Sequence, residues 1–138
     1  WIEDGDTEIV LSDADLILEG VEQEAFFGQV ITSGDLDGDR YSDLLVGSPL
    51  HDDGSLSDAG VVHIFFGKDF QDDWDRRWTT EDAGQTIVGE DAYDSVGTSI
   101  QTGDVNRDRV EELILGIPYI DDVEMNAGGV SIFVGCES

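Results

Sequence analysis

The sequence predicts an all-β protein: two four-stranded antiparallel β-propeller blades in an incomplete ring. Three observations carry this. A 69-residue unit occurs twice, apolar residues fall in short β-branched and aromatic runs bounded by Gly, Asp or Pro, and no window holds a sustained helical period. Tandem units of about four short strands are the pattern of propeller blades.

The repeat is dense. Gly20, Gly28, Gly34, Asp35, Asp39, Arg40, Leu44, Gly47 and Pro49 recur 69 positions later as Gly89, Gly97, Gly103, Asp104, Asp108, Arg109, Leu113, Gly116 and Pro118. After a one-residue deletion, Ala59, Gly60, Val62, Ile64, Phe65 and Gly67 recur as Ala127, Gly128, Val130, Ile132, Phe133 and Gly135. Strands are expected at 15–19, 27–33, 43–48, 60–66, 85–89, 97–102, 112–117 and 128–134. The whole of 1–138 is one two-repeat unit, with a first repeat over 17–85 and a second over 86–138 that lacks its last strand.

The strand at 15–19 is spare in this count. Propellers have about four to eight blades, so two cannot close a ring. The last blade is therefore expected to take a strand from another copy or from another part of a parent chain. The opening on Trp1 reads as a processed product or an excised piece.

Thirty-three acids against 6 basic residues give a net charge of −27. Nucleic acid is excluded as a ligand and anionic membranes are disfavoured, because both need clustered cations. No apolar run approaches the ~18 residues of a membrane helix. Apolar content of 39%, gathered in strand-like runs, argues against disorder. Cys136 is the only cysteine, so neither an internal disulfide nor a cysteine zinc site is possible.

The strongest chemical signal is the loop Asp35-Leu36-Asp37-Gly38-Asp39-Arg40-Tyr41-Ser42-Asp43, with carboxylates at positions 1, 3, 5 and 9. Calcium takes six to eight oxygens at about 2.3–2.6 Å from a flexible loop. Asp35, Asp37, Asp39 and Asp43 supply side-chain oxygens, and the Tyr41 carbonyl can add one. The second copy offers Asp104, Asn106, Asp108 and Glu112, with the Val110 carbonyl at position 7. Two Ca2+ sites are expected, the first stronger, because Asn106 replaces an acid and Arg107 and Arg109 sit in the second loop. An EF-hand is rejected: positions 6 and 12 are not Gly and Glu, and strands flank the loop.

The pattern Phe27-Gly28, then Asp35 to Asp43, then Gly47-Ser48-Pro49 resembles the FG-GAP repeat of integrin α-subunit propellers and their bacterial relatives. In the second copy Val96 precedes Gly97, and Gly116-Ile117-Pro118 follows. The resemblance covers about 17–135. It implies a blade with calcium held between its first two strands, and an extracellular setting. Family members commonly carry Gly at loop position 6, where this chain has Arg40 and Arg109.

Other residues have plainer expectations. Phe26, Phe27, Phe65, Phe66 and Phe133 read as core between blades. His63 reads as a structural or surface strand residue, and His51 as a loop residue. Asp52-Asp53 and Asp121-Asp122 read as solvated loops, with a two-acid glycosidase site as the competing idea. Trp74 and Trp78, flanking Arg76-Arg77, read as a long connector packing on its blade, the alternative being docking onto an acidic neighbour. The function expected is a calcium-binding, secreted module for adhesion or macromolecular binding, without catalysis, whose partner is a protein or glycan outside the cell or further copies of itself. The alternatives are a self-assembling structural protein and an accessory part of a carbohydrate-active enzyme.

Overall fold

A computed structural model of the chain describes residues 10–70, 77–120 and 127–136. Nine strands are described: β1 (Ile17–Glu19), β2 (Val30–Gly34), β3 (Asp43–Ser48), β4 (Val61–Phe65), β5 (Arg77–Thr79), β6 (Gln85–Val88), β7 (Ser99–Gly103), β8 (Glu112–Ile117) and β9 (Gly129–Phe133). The first blade is an antiparallel sheet in the order β2-β3-β4-β6, and the second is β7-β8-β9. The chain is all-β, and the two blades do not form a closed ring. No helix among the described residues is long and apolar enough to cross a membrane.

The central strands form where the sequence runs apolar without alternation. β3 and β4 are buried on both faces, because the first blade is covered on both sides. One face of that blade presents Leu45, Val62 and Ile64, which pack with Val96, Ile100, Leu113, Leu115 and Ile117 of the second repeat. The other face gathers Val46, Phe65, Phe70 and Trp78, with Leu16, Leu18 and Phe27 against them. Each fully buried side chain of this kind stabilises by about 1.5–3 kcal/mol.

The blades approach closely at two glycines. A side chain on Gly47 would collide with the Gly97 carbonyl, and Gly97 itself has φ +96. Glycine is required at both for that contact. Gly28, the counterpart of Gly97, has φ +90 but open space around it.

Several expectations change here. The first strand of each blade starts later than the Phe27-Gly28 and Val96-Gly97 pairs, at Val30 and Ser99. In the first copy a positive φ at Phe26 and Gly28 makes that stretch a turn, closed by Gln29 N–H donating to the Phe26 carbonyl at 3.0 Å. The strand near 15–19 is not spare: Ile17–Glu19 pairs in parallel with Arg77–Thr79. That pairing also gives the long connector a strand of its own. Trp78 is buried against Phe65 and Phe70, as connector packing requires, and Arg77 donates to Glu19 at 2.6 Å. Trp74 and Arg76 lie outside the described residues.

Phe26 and Phe133 are not core: they are 57% and 44% exposed. Phe26 is the first residue of its turn. Phe133 lies on β9, the last strand of the three-stranded sheet, which has a partner on one side only among the described residues. Phe65 is fully buried, and Phe27 packs edge-on against it with ring centroids 6.4 Å apart.

His63 is a buried structural residue, edge-on to Phe27 with centroids 5.5 Å apart. Burial above all, and then nearby His51, push its imidazole down from 6.5 to about 4, while Glu22 pulls the other way. The native ring therefore stays neutral to about pH 4, whereas an unfolded chain binds a proton near 6.5. The stability contributed by the neutral ring is complete above pH 6.5 and is lost as pH falls towards about 4. At ~1.4 kcal/mol per unit this amounts to about 3 kcal/mol. Urea midpoints measured from pH 7 to 4 should fall more steeply for the wild type than for His63→Gln; parallel curves would contradict this account.

Candidate metal centre

The first acidic loop joins β2 to β3, and a chain of backbone bonds onto its own side chains shapes it. Asp35 Oδ2 accepts from Arg40 N–H at 3.0 Å, Asp37 Oδ1 from Asp39 N–H at 3.2 Å, and Asp39 Oδ1 from Tyr41 N–H at 2.8 Å. Short Asp side chains fold the loop back on itself in this way. The turns leave one oxygen each of Asp35, Asp37 and Asp39 in a group lying within 4.8 Å of one another. Two oxygens on one calcium lie at most about 5 Å apart, twice the Ca–O distance. Asp35 Oδ1 is moreover buried with no hydrogen-bond partner among the described residues. A buried carboxylate oxygen without a partner is costly unless a cation meets it, so the donor set fits a hard cation such as calcium.

Asp43 has a different place. It is buried, with Oδ2 accepting from Leu36 N–H at 2.9 Å and Oδ1 from Gly67 N–H at 3.0 Å. It ties the start of the loop to the chain leaving β4. Burial raises its carboxyl above the usual carboxylate range, the two backbone bonds oppose that, and the charges of Asp37 and Asp39 add to the rise. Each of its oxygens keeps a second lone pair. Tyr41 is exposed, and its N–H is the one bound to Asp39.

The second loop repeats this wiring. Asp104 Oδ2 accepts from Arg109 N–H at 3.0 Å, Asn106 Oδ1 from Asp108 N–H at 2.8 Å, Asp108 Oδ1 from Val110 N–H at 2.9 Å, and Glu112 Oε2 from Val105 N–H at 2.8 Å. The difference lies at Asn106. Its amide Nδ2 donates to Asp108 Oδ2 at 2.8 Å and to Glu112 Oε1 at 2.9 Å. The amide thus gathers two carboxylates, where Asp37 at the same position of the first loop has no donor to offer. Asp104, Asn106 and Asp108 are all exposed.

Both loops need left-handed backbone at positions 4 and 6. Gly38 and Arg40 have φ +73 and +74, and Arg107 and Arg109 have +68 and +82. Arg at position 6 therefore adopts the conformation that glycine favours, at a steric cost of roughly 1–2 kcal/mol.

Sequence reasoning missed Glu111. Its N–H donates to the Asp35 carbonyl at 3.0 Å, its side chain presses against Gly34, and its Oε2 is buried without a partner among the described residues. The only signal was an acid where the first copy has Ser42. Elsewhere, His51 pairs through Nδ1 with Glu22, and Asp52 and Asp53 are exposed. Asp121 and Asp122 lie outside the described residues.

With this geometry in hand, the class is defined by comparison. The sequence model of the FG-GAP repeat matches residues 27–65, a span that holds the whole first loop and its two flanking strands. Residues 27–65 thus carry an FG-GAP repeat. It is 27% identical over its whole length to integrin alpha ina-1 of Caenorhabditis elegans, covering 12% of that protein. It is 31% identical over 83% of its length to phosphatidylinositol-glycan-specific phospholipase D of Dictyostelium discoideum, again covering 12%. It is 29% identical over 75% of its length to integrin alpha-3 of Cricetulus griseus, covering 9%. The chain thus spans about an eighth or less of these relatives.

Replacing Arg40 or Arg109 by Gly should stabilise the protein by about 0.5–1 kcal/mol, the relieved strain outweighing the added chain entropy of glycine. Thermal midpoints of the two variants check this, and a fall in both would mean that the arginines are not strained.

Proposed function

We propose that this chain is a calcium-stabilised, extracellular propeller module that binds other macromolecules and does not catalyse. The observation that carries it is the convergence of Asp35, Asp37 and Asp39, together with a buried, unpartnered oxygen on Asp35. An ion there would be held by these three side chains, with Asp43 and the Tyr41 carbonyl as further donors. Bound calcium supplies positive charge that cross-links the loop. The second loop would bind more weakly, because the Asn106 amide already satisfies Asp108 and Glu112. Millimolar extracellular calcium suits modest sites of this kind, and the family resemblance points to the same compartment.

The binding surface lies at the other end of the strands. There Phe26, Pro49, Leu50, Thr98 and Tyr119 line a cleft of about 400 Å³. Phe26 and Tyr119 are 57% and 50% exposed. Exposed aromatics around a cleft are the composition of protein-binding surfaces. Against catalysis, the Asp52–Asp53 pair is solvated, and Asp52 is engaged with Asp58 N–H at 2.9 Å. The phospholipase relatives are enzymes by name, but this chain covers 12% of the Dictyostelium protein.

A second reading, assembly with further copies or blades, is favoured by the outer face of the second blade. Val130 and Ile132 are 67% and 54% exposed there. Their counterparts Val62 and Ile64 are buried in the seam between the blades. A further blade, from the same parent chain or from another copy, would cover them and complete the edge at β9.

Millimolar calcium should raise the melting temperature by several degrees over chelated protein, as binding to the native state alone requires. Asp37→Ala should remove most of that shift and Asn106→Ala little of it, while Asn106→Asp should strengthen the response. Identical melts with calcium and with chelator would overturn the metal reading. If copies associate through the outer face, light scattering should show Ile132→Asp to be monomeric where the wild type is larger; a monomeric wild type would reject that reading.

A further inference from the structure

The face of the first blade that turns away from the second carries a polar pair that the mechanism above does not use. Ser48 follows Val46 by two residues on β3, and His63 on β4 stands opposite Val46, so both project on the same side of the sheet. They line a cavity of about 70 Å³ together with Glu22, Ala25, Phe27 and His51. Ser48 is 2% exposed and His63 8%. Neither Ser48 Oγ nor His63 Nδ1 has a hydrogen-bond partner among the described residues. Beside them, His51 Nδ1 pairs with Glu22, whose other oxygen accepts from Asp52 N–H at 3.1 Å.

The fold does not demand this polarity. At the same places the second repeat has Ile117 for Ser48 and Ser131 for His63. A buried hydroxyl and a buried ring nitrogen without partners are both destabilising, and polar groups in such positions are almost always met by protein or water. The cavity is far below the roughly 300–1,000 Å³ of organic-ligand pockets. It has room for about two waters at the roughly 30 Å³ each takes in the liquid. Glu22, His51, Ser48 and His63 supply the two to four polar contacts that a buried water needs.

We propose that this cavity is a built water site, in which bound water bridges Ser48 Oγ and His63 Nδ1 and extends to the Glu22–His51 pair. The water then completes a polar clasp between the segment after β1, which carries Glu22, and the first blade. It adds to the Glu22 contacts, the Leu50 N–H bond to the Ala25 carbonyl at 3.4 Å and the apolar packing by which these two parts of the chain meet. The proposal is independent of whether the loops bind calcium.

Water-selected NMR on the intact chain at neutral pH tests it. Long-lived water should give cross-peaks of slow-tumbling sign to the Ala25 methyl and the His63 ring protons. A mutant cycle adds a second readout. Ser48→Ala and His63→Gln should each weaken the folding equilibrium about fivefold or more. Together they should cost at least about twofold less than the product of the two, because they share one bridge. Absent cross-peaks would overturn the proposal even if a variant fails to fold, and so would strictly multiplicative effects. Micromolar zinc shifting the His51 and His63 resonances together would also overturn it, and would assign the pocket to a metal ion.

Discussion

The rest of the structure depends on the apolar seam between the two blades. Leu45, Val62 and Ile64 meet Ile100, Leu113, Leu115 and Ile117 there. The contact is possible only because Gly47 and Gly97 let two backbones come nearly together. Burial draws the sheets face to face, and the glycines set how close they come. Polar contacts then fix register at the foot of the seam. Thr102 Oγ1 donates to the Ser33 carbonyl at 2.9 Å, and Glu111 N–H to the Asp35 carbonyl at 3.0 Å. The first acidic loop is thus anchored by its own side chains and also by the neighbouring blade.

That anchoring separates loop shape from loop charge. The two loops share one backbone path, held by bonds from position 6 to 1, 5 to 3, 7 to 5 and 2 to 9. Chemistry diverges at position 3, where a carboxylate in the first loop becomes an amide in the second. An amide offers donors as well as an acceptor, so in the second loop Asn106 hydrogen-bonds two of the loop's own carboxylates.

The repeat made the blades readable, because a shared register of Gly, Asp and Pro constrains where strands turn. The spans 43–48 and 112–117 match their strands end to end, since an acidic loop and a Pro bracket each of them. The Phe27-Gly28 stretch misled, because an apolar pair looks like strand until the positive φ of its neighbours is known. The pairing of Ile17–Glu19 with Arg77–Thr79 was invisible: it joins distant segments in parallel, and neither resembles the other. In the first acidic loop the spacing points to Asp35, Asp37 and Asp39, whose oxygens the structure brings together, but it does not reveal that Asp43 also accepts from Leu36 and Gly67 N–H. Glu111 escaped because its importance lies between repeats, and a repeat pattern reports only what the copies share.

Among the described residues, the first blade has cover on both faces and the second on one. In a linear array, stability is the sum of each unit and its interfaces with neighbours. The second blade therefore owes its order to a single seam, while the first is braced on both sides. Opening should begin at β9, whose outer side chains face water, and move inward until it reaches the seam. The chain is thus graded in stability along its length, and the first acidic loop, which lies against the seam, sits on the better-held side of that gradient.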